Sequence, residues 1–176
     1  RQNRQWREGD GDIMWVEPWS AAFVSWVMCE AGLGDMDQFR RDIAHWRYVD
    51  QAIAARDGDA PQAAYTAHDI GEVELQPGDL LCNPRGGRTY RSLADRREDV
   101  GDQAPLHCDI VVRVDADART AAVIGGNVVN GISLTILPLE EEGGRLRLMG
   151  PSDRAGARVF FAHLSLQADP VEPLAL

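Results

Sequence analysis

The second half of the chain carries one short β-branched and aromatic segment after another, with only turns between most of them. After the turn in "QPGDLLC" come "HCDIVVRVD", "TAAVIGGN", "GISLTILPL" and "ARVFFAHL". Runs of this length and composition read as strands, and tight connections let consecutive strands pair antiparallel. The first half has a different period. From about Trp19 the apolar residues Phe23, Val24, Trp26, Val27 and Ala31 recur at helical spacing, and Gly32 and Gly34 end the pattern. Asp35 is placed to cap a second helix over 35–58, with Phe39, Ile43, Trp46 and Ile53 along one side. Gly58 to Pro61 closes that helix. Helices first and consecutive strands afterwards specify an α+β domain, N-terminal helices packed on a small antiparallel sheet.

A chain of 176 residues is long enough for one hydrophobic core. Its parts sort into an N-terminal arm (1–14), a single domain (15–167) and a Pro-containing C-terminal tail (168–176). A long inserted loop, 83–106, interrupts the strands and holds one helical turn around Ser92 to Glu98. Loops this long inside compact domains are often functional. No apolar run approaches the ~20 residues that span a bilayer, so no membrane span is expected. Neither a signal peptide nor an initiator Met opens the sequence, which leaves the compartment open.

The formal charge is −10. Every cationic side chain is Arg, and the acid balance argues against a nucleic-acid partner, which needs a basic face. The one basic cluster, Arg85, Arg88, Arg91, Arg96 and Arg97, reads as a solvated loop with interspersed acids. Three cysteines, Cys29, Cys82 and Cys108, form no C-x-x-C pair and fall in apolar periodic segments. They are expected to be free, buried and inert. Cys82, His107 and Cys108 match no structural zinc spacing, so no metal is expected.

Three residues carry the candidate chemistry. Ser20 stands where the first helix begins, His107 heads the strand "HCDIVV", and Asn127 follows two glycines in "IGGN". Counting outward from the loop "DADAR" brings His107 and Asn127 toward the same end of a hairpin. A hydroxyl at a helix start gains from the backbone N–H groups there, which also favour a developing oxyanion. An imidazole takes its proton, and an amide oxygen fixes the imidazole's tautomer. Each residue also has a plainer reading: Ser20 as helix cap, His107 as strand-end polar surface, Asn127 as turn residue. Asp109 shares a strand face with His107 and is a rival orienting group. His45, beside Trp46, can line the cleft or sit as a structural histidine. Asp79 after "QPG" reads as turn chemistry.

These pieces resemble the CHAP and NlpC-type papain-like peptidoglycan hydrolases. "PWSAAFVSW" is similar to the "PWCAxFVSW" helix of that superfamily, "QPGDLL" to its "PGD" first strand, and "HCDIVVRVD…VIGGN" to its "HVGIVV…IEGN" hairpin. The resemblance runs from about Trp15 to Leu139 and places Ser20 in the cysteine-nucleophile position. It implies a papain-like fold and hydrolysis of an amide bond in peptidoglycan, as amidase or endopeptidase. The implied catalytic set is Ser20, His107 and Asn127, with no cofactor and no metal. Trp19, Arg85, Arg88, Asp109 and His45 would line the substrate groove, Trp15 and Trp19 offering stacking surfaces and the arginines meeting stem-peptide carboxylates. The implied location is periplasmic or secreted.

Ser20 is the departure, because a thiol is far better ionised at neutral pH than an alcohol. None of the three cysteines fits the position. Ser20 is then a working serine nucleophile, an introduced replacement for cysteine, or the mark of a silent domain that binds cell-wall fragments or a protein partner. A secreted antibacterial toxin, neutralised by an immunity protein, is a further role compatible with the same chemistry.

Overall fold

A computed structural model of the protein describes residues 18–148 and 158–168. The arm 1–14, Trp15 and the tail beyond 168 lie outside the described residues. Within them, α1 (Ser20–Glu30), α2 (Trp46–Asp57) and the short α3 (Leu93–Arg97) accompany seven strands. These are β1 (Tyr65–His68), β2 (Leu80–Pro84), β3 (Leu106–Asp115), β4 (Thr120–Val128), β5 (Gly131–Glu142), β6 (Arg145–Leu148) and β7 (Ala162–Leu166). The strands form one antiparallel sheet in the order β1-β7-β2-β3-β4-β5-β6. The domain is α+β. No helix among the described residues is long and apolar enough to cross a membrane.

The sheet buries both faces, and the two-residue period of its strands decides what meets what. Leu80, Cys82, Cys108, Ile110, Ala162 and Leu164 point toward the helices and join Ala21, Val24, Met28, Val49, Ala52 and Ile53 in the main core. Their alternates Leu81, Val111, Val123 and Ala121 face the other way and pack with Leu75, Leu139, Leu148 and Phe160. Helix α1 lies across β3 and β4, and α2 lies against β1 and β7. The buried stripe of α1, Ser20, Ala21, Val24, Ser25 and Met28, recurs at three and four residues, the spacing that keeps one helix face on the sheet. Each large apolar side chain in that stripe contributes about 1.5–3 kcal/mol by leaving water. Trp26, expected in the apolar pattern, is on the opposite side and mostly exposed. At the end of α1, Gly32 adopts φ 97° while Leu33 N–H donates to Met28 O and Gly32 N–H to Cys29 O. That left-handed residue releases the helix's last carbonyls to new donors.

The second helix is shorter than the sequence suggested. It begins at Trp46, not after Asp35. Residues between follow an irregular path whose backbone groups are met by side chains. Gln51 donates to the Met36 and Asp37 carbonyls and accepts from Arg40 N–H. Ser25 Oγ donates to Asp42 O and accepts from Asp42 N–H. Arg41 donates to Gly34 O. Phe39 is buried against Tyr48 and Tyr65, but Ile43, expected on the same buried side, is exposed. Gly58 closes α2 at φ 89°, as anticipated.

Of the arginine cluster, Arg85, Arg88, Arg91 and Arg97 are exposed as expected, but one member departs from that reading. Arg96 is wholly buried, paired in fork geometry to Asp50 (2.8 and 2.7 Å) and to Asp99 at 2.7 Å. It donates as well to the Asp99 and Asp102 carbonyls. A buried charge needs this degree of satisfaction, and the result nails the 83–106 loop to α2. Ser92 and Asp95 form a reciprocal capping box at the start of α3, the turn expected at Ser92 to Glu98.

The expectation of three free thiols is overturned. Cys82 and Cys108 are direct cross-strand partners on β2 and β3 and form a disulfide. Apolar surroundings had suggested inert thiols, yet pairing register, which the sequence does not display, makes them neighbours. Cys29 alone remains free. Thiol titration should therefore find one thiol in the native protein and three after unfolding with reductant. Replacing Cys82 and Cys108 together by Ala should cost about 2–4 kcal/mol in denaturant unfolding.

Candidate active site

A cleft of ≈ 600 Å³ opens where the start of α1, the segment before α2, the end of the long loop and the β3–β4 pair converge. Ser20, Ile43, His45, Arg85, His107 and Asn127 are among its lining residues. The helical layer brings Ser20. It is the first residue of α1, is buried, and its hydroxyl does not cap: Trp19 occupies the cap position and no side chain bonds the free N–H groups. Instead Ser20 Oγ is hydrogen-bonded to His45 Nε2 at 2.5 Å. On its far side His45 Nδ1 is hydrogen-bonded to the Tyr48 hydroxyl, one helical turn further along.

Burial, together with the nearby His107 and Arg85, holds the His45 imidazole well below its ordinary value of 6.5. The ring is neutral at physiological pH. Burial likewise pushes the Tyr48 phenol well above its ordinary 10, so its proton stays in place.

The sheet brings His107. Its Nε2 is hydrogen-bonded to Asp109 Oδ1 at 2.9 Å, and both side chains are buried. Arg158, from the segment that leads into β7, pairs with the other carboxylate oxygen and donates to Thr135 Oγ1 at 2.9 Å. The His45 and His107 rings lie 5.4 Å apart between centroids.

Two glycines on β4 make room for this. A Cβ at Gly125 would overlap Asp109 Oδ1 and stand 3.1 Å from His107 Nε2. A Cβ at Gly126 would meet the Phe23 side chain at 2.8 Å. One glycine admits the His107–Asp109 pair from one face, and the other admits helix α1 from the opposite face.

The matching family model is described as "Uncharacterized protein conserved in bacteria (DUF2272)" and covers residues 5–162. The chain belongs to this family. No curated protein and no solved structure matches it.

Of the residues singled out in this DUF2272 chain, Ser20, His45, Arg85, His107 and Asn127 gather at the cleft. Asn127 sits there with φ 57°, just inside a register shift between Gly125 and Val128. Among the described residues it makes no side-chain hydrogen bond to His107; Asp109 holds that ring. Among the described residues Ser20 likewise hydrogen-bonds His45 and not His107. Arg88 is drawn away, paired with Asp99 at 3.0 Å, and Trp19 packs edge-on against Phe23. Asp79 does serve its turn, accepting from Gln76 N–H, and it also bonds His163 Nε2 and Leu166 N–H across the sheet.

Tyr48, Arg158 and Thr135 escaped the sequence reading. The three-residue spacing of His45 and Tyr48 was the one visible signal; Arg158 reaches its partners only through tertiary folding.

Gly125→Ala should displace the His107–Asp109 pair, costing about 1–3 kcal/mol of stability by overpacking; denaturant unfolding measures it. A second expectation follows from the depressed His45. Above its unfolded-state value near 6.5 the residue is neutral in both states. As pH falls below that value the unfolded chain takes up a proton that the native ring refuses, so stability drops. His45→Gln should flatten that part of the stability–pH curve.

Proposed function

We propose that this domain is a papain-like hydrolase that cleaves an amide bond in peptidoglycan, with Ser20 as nucleophile. The observation that carries the reading is the Ser20 hydroxyl, turned away from its own helix into a cleft shared with an oriented imidazole. A capping serine would bond its helix's N–H groups; this one does not. The substrate class rests on the motif resemblance in "PWSAAFVSW", "QPGDLL" and "HCDIVVRVD…VIGGN".

The reaction is acyl transfer. Oγ attacks the amide carbon while its proton passes to the Nδ1 of His107, whose Nε2 is held by Asp109 in the way that orients a catalytic base. The developing oxyanion faces the N–H groups of the first turn of α1, of which Phe23 is the first to bond back within the helix, to Trp19 O. The C–N bond then breaks, and the leaving nitrogen takes the proton from His107. Water attacks the ester, gives a proton to His107, and Ser20 recovers that proton as the acid departs. Arg85, exposed at the cleft with no carboxylate partner among the described residues, is suited to a substrate carboxylate. The Cys82–Cys108 disulfide favours an oxidising compartment, in keeping with a periplasmic or secreted role.

Ser20→Ala and His107→Ala should each abolish release of soluble fragments from purified peptidoglycan, because such residues act as a unit. Ser20→Cys should retain turnover. Undiminished turnover by Ser20→Ala would reject the reading.

A further inference from the structure

Resting on the assignment of Ser20 as nucleophile, we infer that His45 is a second catalytic imidazole, acting as a hydrogen-bond donor to Ser20 Oγ and not as its base. Tyr48 positions it.

The argument is an account of protons. The Tyr48 hydroxyl has one hydrogen, and the residue is buried to 1% exposure. Among the described residues its hydroxyl has a single partner, His45 Nδ1. A buried O–H left without an acceptor costs about 1–3 kcal/mol, so the phenol donates and Nδ1 accepts. The neutral imidazole then carries its hydrogen on Nε2, and Nε2 is the atom 2.5 Å from Ser20 Oγ. Nε2–H therefore donates to the serine oxygen. The hydroxyl's own hydrogen is then not used by His45, and the cleft that Ser20 lines is lined by His107 as well.

The opposite arrangement, with His45 accepting from Ser20, strands the Tyr48 hydrogen in the core. It also asks a ring already held neutral by burial to become an imidazolium there. His107 has the better equipment for gaining a proton, with Asp109 on its far nitrogen and Arg158 holding Asp109 in place.

This division gives an alcohol what a thiol does not need. A thiolate forms readily beside one imidazole. An alkoxide developing on Ser20 meets a donor on one side while its proton leaves on the other. A neutral imidazole is well chosen as that donor, because it stabilises charge without itself releasing a proton to solvent.

Reaction with a fluorophosphonate probe, followed by intact mass over time, reads the nucleophile without a known substrate. Ser20 Oγ bonds to phosphorus, fluoride leaves, and the serine proton passes to the base. His45→Gln places an amide N–H near the Nε2 position and cannot act as a base. It should label within about fivefold of the wild-type rate, whereas His45→Ala should fall about 100-fold, the usual effect of removing one such donor. Tyr48→Phe should slow labelling about tenfold by freeing the other tautomer, and His107→Gln should abolish it. Thermal unfolding of each variant separates loss of fold from loss of reactivity. If folded His45→Gln is as unreactive as His45→Ala, His45 is a base and the inference fails while Ser20 stands as nucleophile. If folded His45→Ala labels like wild type, His45 is structural and the inference fails. Absence of labelling in the wild type removes the nucleophile reading and this inference with it.

Discussion

Everything in this fold converges on two adjacent positions of β4 that have no side chain. Gly125 and Gly126 point to opposite faces of the sheet, and each is filled by something else. Phe23 of α1 presses onto Gly126, while the His107–Asp109 pair lies over Gly125. The close approach of the helix sets the depth at which Ser20 enters the cleft. The close approach of the pair sets the orientation of the His107 ring. A methyl group at either position would move one without the other, so the distance between the helical and sheet halves of the site depends on both gaps together.

The surrounding structure holds those two halves still. Cys108 lies between His107 and Asp109 in sequence but points to the opposite face, where it is bonded to Cys82. The strand that carries the pair is thus anchored covalently at the residue between them. Arg96 does the corresponding work for the loop that reaches the cleft, tying it to Asp50 on α2. Ser25 binds the backbone of Asp42, which fixes the segment leading to His45 against α1. Surroundings tied down in this way are what a site built on oriented hydrogen bonds needs.

Much of this was legible in the residues. The turn and apolar run of "QPGDLLC" gave β2, and the β-branched and aromatic runs gave β3, β4, β5 and most of β7, because buried strands advertise themselves in composition. The arrival of Ser20, His107 and Asn127 at one cleft followed from motif order and hairpin geometry. Local rules failed where tertiary contacts decide. Asp35 looked like a helix cap, yet Gln51 and Ser25 compete for the backbone that a longer helix would have used. The short strands β1 and β6 lack a distinctive run and exist because β7 and β5 offer them partners. The disulfide required knowing that Cys82 and Cys108 sit in register, and no spacing rule supplies that. Asn127 was favoured over Asp109 because it resembled the third residue of a known motif. The strand period already placed Asp109 on the face of His107, and that simpler argument matches the geometry.

The two imidazoles reach Ser20's neighbourhood from different layers, and this explains why both can be present. His45 and Tyr48 belong to the helical layer, as Ser20 does, so their chain of hydrogen bonds is set within one unit. His107, Asp109 and Arg158 belong to the sheet and its return segment, and meet the first chain only across the cleft. A donor that must stay close to the nucleophile throughout a reaction is best carried on the same layer. A base that must exchange its proton with leaving group and water is best placed across the gap. The unlike partners of the two rings, a neutral phenol behind one and a carboxylate with a guanidinium behind the other, match the difference in task that we propose for them.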